Sequence, residues 1–267
     1  MEKVFLNSLP KSGTHLIGKL LDYMGFGFSN ANFSSSSIYG RNVLVKSLLR
    51  APVFGQVGIE VGLDISTLVK VSWVENKLQS VNHDSFCGGH APYSDALYTL
   101  IVDSGLKPIH IIRDPRDVLL SWVHYVPKTA WHYGAEGLAG LSLEERVRKV
   151  LYGYRSGSFL LESFPSILSR ASGWLNKDSV LTIRFEDLVG EKGGGSYQKQ
   201  IRTINDVGCF VGCNDFDKKQ IAENLFGGTK VFRKGQVGAY KDELSASLLS
   251  EINVCLEKDI VQMGYKV

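Results

Sequence analysis

Short apolar runs alternating with helical periodicities set the reading of this chain. The first run, within Lys3–Asn7, holds Val4, Phe5 and Leu6 and predicts a buried strand. A turn of proline and small residues follows, and then Leu16, Ile17, Leu20 and Leu21 recur at helical spacing over Thr14–Met24. Pro108–Ile112 and Val180–Phe185 are two more runs of strand length, each leading through a polar turn into a helical pattern. Residues 86–90 predict the end of a fourth strand. Further helices are predicted over Pro115–Tyr125, Leu143–Phe164, Tyr197–Val211, Asp217–Leu225 and Ser245–Met263, with Asp217 and Ser245 as N-caps. Ser34–Ser37, Gly134–Leu141 and Glu191–Ser196 read as loops, the last a flexible surface loop around Gly193-Gly194-Gly195. Repeated strand–helix units predict an α/β fold with a central parallel β-sheet flanked by helices. Neither an internal repeat nor an interdomain linker interrupts the pattern, so residues 1–267 are expected to form one domain.

Composition narrows the partners more than the fold. A 44% hydrophobic and 21% charged content is ordinary for a well-cored protein. The net charge of +3 suits an anionic small molecule and is too small to point to nucleic acid. No apolar run approaches the ~18–20 residues that span a bilayer. Pro10-Lys11-Ser12-Gly13 interrupts the first apolar stretch too early for a signal peptide, so a cytoplasmic protein is expected. Cys87, Cys209, Cys213 and Cys255 have no paired metal-ligand spacing and read as small buried thiols, with no metal expected.

Three segments carry candidate chemistry. Pro10-Lys11-Ser12-Gly13-Thr14-His15 stands between a predicted strand and a predicted helix. That geometry aims backbone N–H groups and a helix dipole at an anion, and Lys11, Ser12 and Thr14 add a cation and two hydroxyls. The lysine precedes Ser-Gly-Thr, so this is not the GxxxxGK[ST] order of a Walker A loop. In the second segment, Arg113 emerges from the end of a strand, Pro115 opens a helix at a favoured position, and Ser121 lies one to two turns inside. An arginine fork with a hydroxyl suits a phosphate monoester. The bland alternative is that Arg113, Asp114, Arg116 and Asp117 only cap and pair at a helix start. The third segment, Arg233-Lys234-Gly235 within Val231–Gly238, reads as a basic loop that closes over a charged ligand.

In this order the three segments resemble those of sulfotransferases that use 3′-phosphoadenosine 5′-phosphosulfate (PAPS). The resemblance spans residues 8 to about 241 and extends to Phe185-Glu186-Asp187-Leu188 and Arg50-Ala51-Pro52-Val53-Phe54. It implies a parallel sheet related to that of P-loop kinases. It implies that Lys11, Ser12, Gly13, Thr14 and His15 bind the 5′ side of the nucleotide. Arg113, Ser121, Arg233, Lys234 and Gly235 would then bind the 3′-phosphate. Several positions depart from the family: His15 replaces a second threonine, Phe185 a frequent tyrosine, and Ala239-Tyr240-Lys241 the usual Asp-Trp-Lys. The dimerisation signature of some cytosolic members is absent, which leaves the oligomeric state open.

The implied activity is sulfuryl transfer from PAPS to a hydroxyl or amine of a small-molecule, carbohydrate or lipid-like acceptor, releasing adenosine 3′,5′-bisphosphate (PAP). Lys11 is the expected catalyst of leaving-group departure, with Ser121 beside it in the catalytic set. Six histidines are present: His15, His83, His90, His110, His124 and His132. His110 falls mid-strand and reads as packed, whereas His124 and His132 fall in an aromatic stretch and read as acceptor pocket or lid. Gly88-Gly89-His90-Ala91-Pro92 resembles the family's Lys-Thr-His-x-Pro segment, making His90 the candidate base although Gly88 replaces the lysine. Glu60 is the fallback base. Two other readings are a non-catalytic PAP- or PAPS-binding homologue and a P-loop-type small-molecule kinase.

Overall fold

The computed structural model describes residues 1–34, 58–129, 132–156, 159–228 and 234–267. The strands are β1 (Lys3–Ser8), β2 (Gly27–Asn32), β3 (Gly58–Val61), β4 (Thr67–Lys70), β5 (Ser85–Gly89), β6 (Leu106–Ile112), β7 (Tyr154–Ser156), β8 (Phe159–Leu161) and β9 (Leu181–Arg184). Helices α1 to α4 are Thr14–Tyr23, Val71–Gln79, Asp95–Asp103 and Pro115–Tyr125. Helices α5 to α8 are Ala135–Leu138, Leu143–Tyr152, Phe164–Ser172 and Phe185–Leu188. Helices α9 to α12 are Tyr197–Phe210, Lys218–Leu225, Tyr240–Glu243 and Ala246–Gln262.

Five strands form one parallel sheet in the order β2-β5-β1-β6-β9, while β3 pairs with β4 and β7 with β8 as antiparallel hairpins. The apolar runs become the central strands because both faces of the sheet are covered. Val4 and Leu6 pack into one core with α1, and Phe5 packs into the opposite core with Leu97, Ile101 and Trp174. A third core joins α4 to α12 through Leu119, Trp122, Ile252 and Leu256. Asn7 aligns with Gly89 on one side and His110 on the other, so the carboxyl ends of β1, β5 and β6 share one edge of the sheet. In open α/β sheets ligands bind at that edge.

Several predicted elements need correction. The helix expected over Leu143–Phe164 is α6, a hairpin and then α7. Ser142 and Glu145 start α6 as a capping box, and Gly153 ends it with φ 83°. A Cβ at residue 153 would stand 2.8 Å from the Leu161 carbonyl oxygen, so only glycine lets the chain turn back there. Strand β2 (Gly-Phe-Ser-Asn-Ala-Asn) and helices α2 and α3 escaped prediction. The Gly193–Gly195 stretch is not simply a solvated loop. Gly193 is buried, its carbonyl accepts from Val237 N–H at 2.9 Å, and a Cβ there would lie 2.8 Å from the Gly235 carbonyl oxygen. Cys87 and Cys213 are buried as expected, but Cys209 is exposed. Arg50–Phe54 lies outside the described residues. Among the described residues, no helix is long and apolar enough to cross a membrane.

Candidate functional site

The turn between β1 and α1 is strained around one side chain. Lys11 has φ 73°, a left-handed conformation that costs a non-glycine residue of order 1 kcal/mol or more. Gly13 has φ 113°, and a Cβ there would stand 2.8 Å from the Phe185 ring and 2.9 Å from Ile111. Only glycine lets the loop close onto the sheet. Pro10, Lys11, Gly13, Thr14 and His15 line a cavity of about 1090 Å³. Ser12 does not line it and is fully buried, and its Oγ has no hydrogen-bond partner among the described residues. A buried hydroxyl left unpaired costs about 1–3 kcal/mol. The open amides at the start of α1, where Gly13, Thr14 and His15 line the cavity, fit an anionic oxygen-rich group, whereas the Ser12 hydroxyl, expected among the 5′-side ligands, is sealed away from it. The Lys11 ammonium stands 3.8 Å above the centre of the Tyr125 ring.

His90 reaches the same cavity from the end of β5. Its segment is fixed by Asn7, whose Nδ2 donates to the Ala91 carbonyl (3.1 Å) and whose Oδ1 accepts from Ala91 N–H (2.9 Å). Trp174 Nε1 also donates to that carbonyl (3.0 Å). His90 Nδ1 lies 2.9 Å from the Ser8 carbonyl oxygen. A carbonyl only accepts, so Nδ1 carries the proton and Nε2 holds the basic lone pair. Ser8 Oγ stands 2.6 Å from Thr14 Oγ1 and 3.2 Å from His90 Nδ1, joining the two walls. Burial holds the His90 pKa below the ordinary 6.5, with Lys11 adding to the effect and the Ser8 carbonyl and Asp64 opposing it. His15 is lowered likewise, by desolvation first and then by Lys11 and His90. Both imidazoles are therefore neutral at pH 7. Gly88 also lines the cavity, but Gly89 has no room for a side chain, since a Cβ would sit 2.7 Å from Phe33 Cβ.

The segment after β6 separates its two arginines. Arg116 turns inward: its Nη2 donates to Asp114 Oδ2 (2.8 Å) and to the Lys266 carbonyl (2.7 Å), while Asp114 caps α4. Arg113 lines the cavity, stacks 4.3 Å from the centre of the Phe185 ring and donates to the Gln236 carbonyl (2.8 Å). Ser121 lines the same cavity one face along α4. Asp117, fully buried, stands 3.6 Å from Arg113 and accepts from the amides of Gly238 (2.7 Å) and Tyr240 (3.2 Å). Burial raises its pKa, and Arg113 and those two amides hold it down. Lys234, Gly235 and Gln236 complete this wall, with Lys234 paired to Glu243 at 2.8 Å. Arg233 lies outside the described residues.

Other candidates are placed elsewhere. Glu60, on the β3 hairpin, pairs with Arg170 at 2.5 Å, accepts from Ser66 and does not line the cavity. His110 is buried beside Trp174, with its pKa lowered to about 4 by burial. His83 lies by the Met1 carbonyl, and His124 pairs with Glu243 instead of lining the cavity. His132 does line it, accepts from Gly134 N–H at Nδ1 (3.1 Å) and faces Asp64 at 3.9 Å. Asn7, Asp64 and Phe226 are site residues that sequence reasoning missed, and Asp117 was read only as an ion-pair partner at the helix start, not as the acceptor that holds the 238–240 amides. Asn7, Asp64 and Phe226 carry no local signal, since their partners and neighbours in the site are distant in the chain.

Comparisons with known proteins bear on the family and the fold. A curated relative, cytosolic sulfotransferase 17 of Arabidopsis thaliana, is 24% identical over 203 residues, covering 66% of this chain and 55% of that protein. The match thus spans little more than half of the relative's length. A crystal structure of mouse sulfotransferase SULT7A1 complexed with PAP superposes with a TM-score of 0.62 at 17% identity, covering 97% of this chain and 85% of that one. Retinol dehydratase in a complex with retinol and PAP gives 0.59 at 14% identity, covering 99% and 82%. These likenesses establish the fold, a parallel sheet with flanking helices of the sulfotransferase type. The sulfotransferase domain family matches residues 1–264, and this chain belongs to it.

Proposed function

We propose that this protein transfers a sulfuryl group from PAPS to a hydroxyl or amine of a small-molecule acceptor and releases PAP. One observation carries the reading. The Lys11 loop and the Arg113–Ser121 wall, two oxyanion-binding arrangements, line a single cavity that also holds a neutral, oriented histidine. A nucleotide with phosphates at both 5′ and 3′ positions suits such a pair of walls. The match along residues 1–264 and the PAP named in the related structures support it.

In the proposed reaction the acceptor oxygen forms a bond to sulfur as the bond from sulfur to the 5′-phosphate oxygen breaks. The acceptor proton passes to His90 Nε2, and the electron pair leaves on the phosphate. Lys11 stabilises that charge. At ~4 Å and an effective dielectric of about 20, one ammonium–phosphate pair contributes roughly 4 kcal/mol. The N-terminus of α1 contributes at most about 1–2 kcal/mol, so Lys11 dominates. Arg113, Ser121 and Gly235 hold the 3′-phosphate, and Arg233 and Lys234 belong to the same proposed set. Phosphoryl-type transfers depend on positioning and charge neutralisation, which is what these walls supply. Glu60, paired with Arg170 outside the cavity, is not placed to take the acceptor's proton. Residues 1–267 are read as one sulfotransferase domain, and the cytosolic relative favours a cytoplasmic setting.

The test is PAP release from PAPS in the presence of a panel of phenols, sugars and amino alcohols, with mass spectrometry of the sulfated product. The reading predicts acceptor-dependent release that Lys11→Ala suppresses by orders of magnitude. PAP binding without release under any acceptor would leave a nucleotide-binding module, and Mg²⁺-dependent phosphate transfer from ATP would make the protein a kinase.

A further inference from the structure

The last turn of α10 is held from three sides. The final carbonyls of a helix have no partner within it. Here Gln200 of α9 donates to the Ala222 carbonyl (3.3 Å) and Lys192 to that of Glu223 (2.9 Å). Lys19 of α1 donates to Asn224 (2.6 Å) and Leu225 (3.2 Å) and reaches past the helix to Gly227 (3.2 Å). Two ammonium groups at a helix C-terminus are also favoured by its dipole.

The residues that follow explain why so short a helix is pinned. Leu225, Phe226, Gly227 and Gly228 line the cavity, as does Lys19 itself. With Phe185 and Val189 they make an apolar, glycine-bearing wall, unlike the cationic Lys11 and Arg113 ends. A flat, uncharged ring is the part of a nucleotide that fits such a wall. The clamp also reaches the third segment. Gln236 Nε2 donates to the Lys192 carbonyl (2.8 Å), and the Gln236 carbonyl accepts from Arg113.

We propose that Lys19 is a positioning residue for the nucleotide base. It ties the 225–228 wall to the middle of α1, the helix that carries the Lys11 loop at its N-terminus. Base and 5′-phosphate are then held by one rigid unit. The inference rests on the nucleotide reading above, and binding of PAP to the unmodified protein checks that reading separately.

The experiment compares the unmodified protein, Lys19→Met and Lys19→Arg by calorimetric titration with PAP and with the base-less ribose 3,5-bisphosphate. Lys19→Met is expected to weaken PAP about tenfold or more, because three hydrogen bonds from a charged donor are lost. The base-less ligand should change by less than about twofold on the same scale. KM for PAPS should rise more than kcat falls, and Lys19→Arg should recover most of the PAP affinity. An equal loss for both ligands, or unchanged PAP affinity in a folded Lys19→Met, overturns the proposal. If Lys19→Met does not fold, Lys192→Met is titrated instead. It should show the same preference for weakening PAP, and equal effects on both ligands would again overturn the proposal.

Discussion

Asn7→Ala separates the scaffold of the base from the base itself. Asn7 is 1% exposed and makes two hydrogen bonds with the main chain of Ala91, at 3.1 and 2.9 Å. Truncation removes both, but their costs differ. The Ala91 carbonyl keeps its bond from Trp174 Nε1, whereas the Ala91 N–H loses the one partner found for it. One buried unsatisfied N–H costs about 1–3 kcal/mol. With the small void left behind, a total of about 2–4 kcal/mol is expected. That is less than the ordinary 5–15 kcal/mol stability of a domain, so the variant should fold. The loss falls next to His90, whose ring is set against the Ser8 carbonyl by this same segment. A displacement of about 1 Å at a reacting group can cost roughly a hundredfold in rate. Urea unfolding measures the first effect and kcat at saturating PAPS the second, with PAP affinity as the control. A destabilised variant with the kcat of the unmodified protein would refute the claim that Asn7 positions His90. No destabilisation at all would refute the energetic argument.

Further expectations follow from the site and the core. Transfer should lose its rate on the acid side, with kcat/KM falling as pH drops through a His90 pKa below 6.5, because the protonated ring has no lone pair to accept the acceptor's proton. His90→Ala should remove that limb along with most of the rate. Asp117→Asn should weaken PAP by about tenfold while changing adenosine 5′-phosphate little, since it loosens Arg113 and the 238–240 amides; titration calorimetry with both ligands checks it. His110 binds its proton less readily folded, at about 4, than unfolded, near 6.5. The stability it contributes is therefore complete above about pH 6.5 and is lost as pH falls toward 4. The loss is about 3 kcal/mol by linkage, and His110→Phe should flatten that acid dependence in urea unfolding.

What could be read from the sequence was local. The central strands β1 and β6 announced themselves because burial on both faces demands near-continuous apolar residues, as in Val4-Phe5-Leu6 and in Ile109–Ile112, broken only by the buried His110. β2 did not, because an edge strand holding Ser29 and Asn32 carries no such run. The break at Gly153 was hidden because the apolar spacing resumes in α7, and the hairpin between is fixed by a long-range close approach. Lys11 and Arg113 were legible because each follows a strand and precedes a helix, where local order already aims side chains at the ligand edge, and Ser121 because it lies one to two turns into the helix that Arg113 precedes. Arg113 was preferred to Arg116 from its place at the end of the strand, but the contacts that turn Arg116 away were not legible, since they come from Asn253 and Lys266 far along the chain. Asn7 with Ala91, Asp117 with Gly238 and Lys19 with Asn224 are separated by 84, 121 and 205 positions, and periodicity carries no information across such distances.

The central claim is a cavity built for a nucleotide with a phosphate at each end. Its most direct test is the affinity of PAP against that of adenosine 5′-phosphate, in the unmodified protein and in Arg113→Met. A charge-assisted contact to the 3′-phosphate is worth about 1.5–3 kcal/mol, or roughly 10- to 150-fold in Kd. PAP is expected to bind tighter by such a factor, and Arg113→Met to remove most of the difference. Equal affinities in the unmodified protein, or a difference that survives the loss of Arg113, would contradict that claim.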